Sequence, residues 1–408
     1  MARRSTIVIV GANLAGGRAA EALRKEGFDG QVFLVGEEPH PPYERPPLSK
    51  EYLRGEMPRE EVFIQPESFW AEQEVELLMG VRAVALDLAA KRVELSSGER
   101  LSFDKLLLAT GGRVRRLPVP GADLEGVHYL RTLDDCEALS RELQPGRRLA
   151  VVGAGFIGSE VAASAREKGL EVTMIEVLPV PLQRALGPEV GRIYADIHRE
   201  HGVELVLGEG VERFEGDSRL RAVVTASGRR IECDLALVGV GIAPATELAE
   251  AAGLAVDDGI VVDEFCQTSH PDVFAAGDVA RFYSPVLGRR LRVEHWHNAQ
   301  NQGAAAARNM LRREPYAEVP WFWSDQYDLN MQYVGFADAW DRVVFRGDVA
   351  GRRFTAFYLR DGRLEAALAI NRPRDIRACR ELIQARAVVD AERLADESQD
   401  LRAFLPQA

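Results

Sequence analysis

Residues 5–38, STIVIVGANLAGGRAAEALRKEGFDGQVFLVGEE, and residues 148–179, RLAVVGAGFIGSEVAASAREKGLEVTMIEVLP, state one pattern twice. Each runs from a β-branched apolar stretch through a glycine-rich turn into a small-residue helix. Each then breaks at glycine and carries a second apolar stretch to a glutamate. A buried strand, a tight turn and a crossover helix make a Rossmann unit, whose helix N-terminus receives a dinucleotide pyrophosphate. Two such units predict an α/β chain with two dinucleotide-binding domains, each with its own nucleotide.

The second fingerprint is complete: Gly153, Gly155 and Gly158 form G-x-G-x-x-G in VGAGFIGSE, with Phe156 and Ile157 inside it. Such a site needs a tight turn, a close backbone approach and the free N–H groups of a helix start. Glu176 ends the following strand, where a carboxylate accepts from both ribose hydroxyls and repels a 2′-phosphate, so NADH is favoured over NADPH. Arg184, farther on, reads as a surface residue. In the first fingerprint, VGANLAG, Gly11 supplies the turn and Gly16 the close helix–strand packing, with Ala15 beside it. Asn13 stands at the middle glycine. Asparagine tolerates left-handed backbone better than most residues, so the turn is expected to survive with the side chain beside the phosphate. Glu37 ends the second strand of this unit and is placed for a ribose.

Two dinucleotides in one chain point to electrons passing between a flavin and a nicotinamide. Thr110 and Gly111, in TGGR after the strand KLLLA, make a turn suited to lie against a cofactor. Asp278, in AAGDVA, sits on a tight loop where a carboxylate can hold polyol hydroxyls. A helix starting near Asn298 would aim its positive end at the flavin's pyrimidine edge. Taken singly, each segment is equally well plain structure. LALVGVGIAP, with Gly241, mirrors the TGGR ending after the second repeat.

After Pro315 the pattern changes to alternating strands, with RDGR as a hairpin turn, and then to a tail, residues 374–405, that reads as helical. The expected division is a discontinuous first nucleotide domain (1–112 and 244–317), a second at 113–243, and a C-terminal α+β domain at 318–408. At 408 residues the chain can bury several cores without covalent staples. Cys136, Cys233, Cys266 and Cys379 are scattered, with no CxxC pair, so no zinc knuckle or thiol-redox motif is expected. His295 and His297 form an H-x-H without a completing ligand set, and no metal is expected. No apolar run reaches the ~18 residues of a membrane helix, and the start lacks a signal-peptide pattern, so a cytoplasmic location is expected.

The net charge of −12 argues against nucleic acid as a partner. Arginine-rich spots at Arg3-Arg4, Arg113 to Arg116, Arg229-Arg230, Arg289 to Arg292 and Arg312-Arg313 read as solvated surface, the exception being a patch that docks a small acidic protein.

Over essentially its whole length the chain resembles the FAD-dependent NADH:ferredoxin reductases of bacterial oxygenase systems, the putidaredoxin reductase and biphenyl dioxygenase ferredoxin reductase family. The resemblance rests on VGANLAG, LVGEE, YERPPLSK, LLLATGGR, YLRTLDD, VVGAGFIGSE, AAGDVARF, EHWHNAQNQG and PWFWSDQ. It implies a glutathione-reductase-like fold with two Rossmann-like domains and a C-terminal α+β domain. It also implies FAD contacts at Gly11, Asn13, Ala15, Gly16, Glu37, Arg45, Pro46, Lys50, Ala83, Thr110, Gly111, Arg131, Asp278, Glu294, Trp296 and Ala299. NADH falls to Gly153, Gly155, Phe156, Ile157, Gly158, Glu176 and Gly241. Lys50 is expected near flavin N5, with Glu160 as its charge partner; these two are the candidate catalytic residues. Phe156 is expected to shield the flavin. Trp321 and Trp323 line the nicotinamide side or pack in the core. Asn13 departs from the family pattern, as does Trp296, where some relatives have a smaller residue.

The implied activity takes hydride from NADH onto FAD and passes single electrons to a small iron–sulfur ferredoxin, an acidic 2Fe–2S protein that feeds a terminal oxygenase. Arg308, Arg312 and Arg313 are the expected docking patch. Three alternatives stay open: a rubredoxin reductase, a quinone-type reductase, and a redox-sensing flavoprotein like the apoptosis-inducing factor. A disulfide reductase is disfavoured, because no cysteine lies between Gly36 and Leu108.

Overall fold

The computed structural model describes residues 4–406, so Arg3 of the first basic pair lies outside the described residues. The chain forms two compact units. The first comprises the segments ending at Glu44, Arg59–Arg113 and Pro244–Phe322; the second comprises Arg45–Pro58, Val114–Ala243 and the chain from Trp323 onward.

In the first unit a parallel sheet runs in the order Val273–Ala275, Lys105–Leu108, Thr6–Val10, Gln31–Gly36, Val75–Met79. Its central strand TIVIV is buried at every position, which is why it carries no polar alternation. Helix Leu14–Lys25 is the crossover to Gln31–Gly36. A three-stranded antiparallel meander, Ala83–Asp87, Arg92–Leu95 and Arg100–Ser102, separates the outer strand from the return strand.

The second unit repeats this plan. Its parallel sheet runs Glu204–Leu207, Glu171–Glu176, Arg148–Val152, Leu235–Val238, Val127–Tyr129. Its meander is Val211–Gly216, Leu220–Thr225 and Arg230–Glu232. The repeat therefore extends well past the two βαβ stretches visible in the sequence. The fifth strands differ in origin: Val273–Ala275 follows its Rossmann unit in the chain, whereas Val127–Tyr129 precedes its own.

The C-terminal sheet has the order Trp321–Gln326, Leu329–Gly335, Arg363–Ile370, Arg353–Arg360, Arg342–Asp348. The RDGR hairpin closes on Asp361 and Gly362, both at positive φ (52° and 72°), the two-residue turn that matches strand twist.

The tail corrects the expectation of continuous helix. Helix Pro373–Gln384 stops where Arg386 turns left-handed (φ 51°) and the Ala387 N–H donates back to the Leu382 carbonyl. Short helices follow at Ala391–Ala395 and Leu401–Phe404. Between them the buried Arg346 guanidinium donates to the carbonyls of Leu394, Asp396, Glu397 and Gln399, an arrangement that an unbroken helix would forbid. Among the described residues no helix is long and apolar enough to cross a membrane.

Candidate active site

Each cradle is a strand end, a glycine turn and a helix start. In the first unit Gly11 has φ +116°, and its N–H donates to the Val35 carbonyl at 2.8 Å. A Cβ at Gly11 would lie 2.1 Å from the Ala109 carbonyl oxygen, and one at Gly16 would lie 1.9 Å from the Gly11 oxygen. Both positions exclude any side chain, and the first turn of helix Leu14–Lys25 has its N–H groups clear of the ladder. In the second unit Gly153 repeats this with φ +96° and a 2.8 Å bond to the Ile175 carbonyl. A Cβ at Gly153 would lie 2.4 Å from the Gly239 oxygen, and one at Gly158 would lie 2.0 Å from the Gly153 oxygen. These are cradles that a Cβ would fill, and they fit a dinucleotide pyrophosphate in both units.

The middle position corrects the reading of Asn13. Asn13 is extended (φ −92°, ψ −172°), as is Gly155 (φ −76°, ψ −173°). No left-handed tolerance is called upon there, because Gly11 and Gly153 make the left-handed turn. A Cβ at Gly155 would meet nothing within 4 Å, so this position faces open space.

The two strand-end carboxylates differ. Glu176 accepts from the Ala154 N–H at 2.7 Å and the Leu178 N–H at 2.9 Å, one bond on each oxygen. Each oxygen keeps a lone pair for a ribose hydroxyl. Glu37 has a side chain 54% exposed, with the Arg113 guanidinium 3.7 Å away. Arg184 is exposed, as read from the sequence.

Around the first cradle, Thr110 Oγ1 donates to the Ala245 carbonyl at 2.8 Å, and Gly111 lies at φ 67°. Ala83 opens the meander. Asp278 is half-buried in a 3-10 turn at Gly277–Val279. Glu294 is exposed and paired with Arg292; Ala299 is buried in helix Trp296–Leu311, which starts two residues before the expected Asn298. Burial raises the Glu44 carboxyl above its usual range, with Arg18 and the Trp296 indole offsetting part of the rise. His295 is half-buried against Phe322, and desolvation pushes its imidazole down to about 4, so it is neutral. Trp321 meets the His297 ring edge-on at 5.8 Å.

Two residues essential to this geometry, Gln302 and Gly303, were not singled out from the sequence, and Asn298 was read only as a helix start. Gln302, fully buried, accepts from the Gly277 N–H at 2.9 Å, and Asn298 donates to the same Gln302 oxygen at 3.3 Å. These two amides hold the Asp278 loop. At Gly303 a Cβ would lie 2.2 Å from the Ala15 carbonyl, so the helix carrying Trp296 crosses helix Leu14–Lys25 backbone to backbone. The signal was present in NAQNQG: polar residues and a glycine interrupt an otherwise alanine-rich helix.

Arg45, Pro46, Lys50 and Arg131 belong to the second unit. Arg45 donates to the Arg131 carbonyl, and Pro46 starts a 3-10 turn ending at Ser49. Lys50 is 4% exposed; its Nζ lies 3.5 Å from Glu160 Oε2 and 5.8 Å from the Trp323 ring. Phe156 is half-buried and Ile157 is 42% exposed on the first turn of helix Phe156–Glu167. Gly241 lies at φ 94° and accepts from the Arg115 N–H.

The expected docking arginines are not a free positive patch. Arg308 faces Glu314 at 3.9 Å, Arg312 faces Glu26 at 2.9 Å, and Arg313 faces Asp263 at 3.5 Å while stacking on Phe265. Neighbouring carboxylates offset the charge on which a steering role depends. The four cysteines are buried and free; burial pushes Cys136 and Cys233 up to about 12, and raises Cys266 and Cys379 further, so none is a ready thiolate.

Residues 5–303 match the family model described as pyridine nucleotide-disulphide oxidoreductase, and residues 321–405 match the reductase C-terminal model. The chain is 43% identical to the anthranilate 1,2-dioxygenase system ferredoxin–NAD(+) reductase component of Burkholderia cepacia, over 98% of each chain. It is 41% identical to rhodocoxin reductase of Rhodococcus erythropolis, over 97% of this chain and 93% of that one. The reductase chain in the crystal structure of the covalent putidaredoxin reductase–putidaredoxin complex superposes with a TM-score of 0.95 at 39% identity, covering 98% of both chains. With paired glycine cradles, a C-terminal sheet and this likeness along its whole length, the chain belongs to the pyridine nucleotide-disulphide oxidoreductase family, among its oxygenase-system ferredoxin reductases.

Proposed function

We propose that this protein is an NADH-dependent ferredoxin reductase that binds FAD on the Gly11 cradle and NADH on the Gly153 cradle, and supplies a small iron–sulfur ferredoxin serving an oxygenase. The observation that carries this reading is the matched pair of side-chain-excluding turns at Gly11 and Gly153. When bound, FAD supplies the conversion between a two-electron hydride donor and one-electron acceptors.

The residues divide the remaining work. Gly11, Asn13, Ala15 and Gly16 bring backbone to one pyrophosphate, and Glu37 takes its ribose. Ala83, Thr110, Gly111, Asp278, Glu294, Trp296 and Ala299 complete the FAD set on the first unit. Arg45, Pro46, Lys50 and Arg131 are the further FAD residues proposed. Gly153, Gly155, Ile157, Gly158 and Gly241 hold NADH, Glu176 selects against a 2′-phosphate, and Phe156 excludes water. Lys50 supplies positive charge to the reacting groups, and Glu160 compensates that charge while it is buried. Trp321 and Trp323 serve the nicotinamide side. The three domains proposed are 1–112 with 244–317, 113–243 and 318–408, and the location proposed is the cytoplasm, in keeping with four free cysteines.

The purified protein is expected to be yellow, to bleach anaerobically on addition of NADH, and to turn over with an iron–sulfur ferredoxin. A colourless protein that FAD cannot reconstitute overturns the reading.

A further inference from the structure

Three side chains converge on one carboxylate inside the second unit. Glu160 is 6% exposed; its Oε2 accepts from Ser49 Oγ at 2.5 Å and Lys50 Nζ at 3.5 Å, and its Oε1 accepts from Ser324 Oγ at 2.7 Å. Gln326 Nε2 lies 3.2 Å from the Ser324 oxygen. Ser324 and Gln326 are each 1% exposed, so water does not compete for these bonds. A hydroxyl has a single proton. With the Ser324 proton given to Glu160, its lone pair receives the Gln326 amide, and the chain of bonds runs one way, from Gln326 through Ser324 to Glu160.

The two serines have different origins. Ser49 precedes Lys50 in the chain and travels with it, whereas Ser324 comes from the strand Trp321–Gln326. The residue after that strand, Tyr327, has φ 57°, bonds His198 Nδ1 at 2.9 Å and stacks on His201 at 3.6 Å. The strand is therefore tied down next to the serine it presents. The terminal torsion of a glutamate is broad unless something sets it. Here the two hydroxyls set it, Ser49 on Oε2 and Ser324 on Oε1, and the ammonium at 3.5 Å is held more loosely than either.

We propose that Ser324 is a positioning residue: by holding Oε1 of Glu160 it keeps the carboxylate from closing on Lys50, so that the lysine's positive charge stays available to the reaction. This role rests on the reading of Lys50 as a group acting in an FAD-dependent reductase. Gln326 locks the hydroxyl direction. Without Ser324, the carboxylate is released toward the ammonium and cancels more of its field.

The test uses the FAD-loaded full chain with S324A, S324T, E160Q and the double variant S324A/E160Q. Stopped-flow bleaching by NADH and the FAD midpoint potential are both read. S324A is expected to slow bleaching about tenfold, the scale of one hydrogen bond to a charged group. The NADH concentration for half-maximal rate should not change, and the potential should move to a more negative value. S324T is expected to restore both, and S324A should add nothing in the E160Q background. Additive losses, or an unmoved potential in S324A, would mean mere packing and overturn the role. If the parent bleaches and S324A matches it, this role alone falls. If the parent binds FAD but NADH does not bleach it, the reductase reading falls and takes this role with it.

Discussion

The Gly11 and Gly153 cradles share a backbone and differ in what surrounds it. Both use a left-handed glycine whose Cβ would strike a neighbouring carbonyl, at 2.1 Å in one and 2.4 Å in the other. In the second unit the strand-end glutamate is built into the turn by two backbone N–H groups. In the first, Glu37 projects half-exposed beside Arg113, and the ordering comes from across the fold, where Gln302 and Gly303 lock a second helix and the Asp278 loop in place. One cradle is finished locally and the other by distant chain, a difference in keeping with the proposed nicotinamide on the Gly153 cradle and flavin on the Gly11 cradle.

The sharpest way to break this comparison is to fill the turns. Gly11→Ala combines a positive φ with a steric clash, a local cost of about 2–4 kcal/mol, and is expected to give colourless protein. Gly153→Ala costs a similar amount but should leave the protein yellow and no longer bleached by NADH. Visible absorbance of the two purified variants decides; loss of flavin from both would erase the functional distinction between cradles.

Each unit also contains a histidine that burial holds neutral, His295 in the first and His198 in the second, both pushed down to about 4 from 6.5. The unfolded chain takes up protons below 6.5 while the folded one resists until about 4. The contribution to stability is therefore complete above 6.5 and is lost as pH falls through about 4, up to about 3 kcal/mol for each histidine. Thermal unfolding followed at several pH values should lose part of its acid limb in His198→Gln. In His295→Gln the change should appear in the transition that releases flavin.

A smaller effect separates the glutamates. Glu176→Gln replaces an oxygen acceptor by a donor facing a backbone N–H, and is expected to cost about 1–2 kcal/mol of NADH binding and narrow the preference over NADPH. Glu37→Gln, at an exposed position, is expected to cost less than about 1 kcal/mol of FAD binding. Titrations with each nucleotide measure both. The smallest change is the exchange of Asn13→Gly and Gly155→Asn. Both positions are extended and Gly155 faces open space, so each single variant should stay within about 1 kcal/mol of the parent in thermal unfolding.

Both cradles were legible in the amino-acid pattern because every requirement at Gly11, Gly16, Gly153 and Gly158 acts within one βαβ unit. The hairpin at Asp361-Gly362 was legible for the same reason. The polar lock at Asn298 and Gln302 was not, because a buried amide in a helix looks like any solvated one until its partner loop arrives. The arginines at Arg308, Arg312 and Arg313 misled in the opposite direction: their clustering is local, but their carboxylate partners include Glu26, far away in the chain. The tail misled because its helix-forming composition was overridden by Arg346 drawing on four distant carbonyls.

Short-range sterics and periodicity thus determined the two Rossmann units, their glycine turns and their terminal glutamates. The fold decided which carboxylate is built in and which is left open, which charges neutralise one another, and how Ser49, Lys50, Glu160 and Ser324 meet. The physical reason is range. A backbone conformation is governed by its immediate neighbours, whereas a buried hydrogen bond or ion pair exists only once remote segments have excluded water around it.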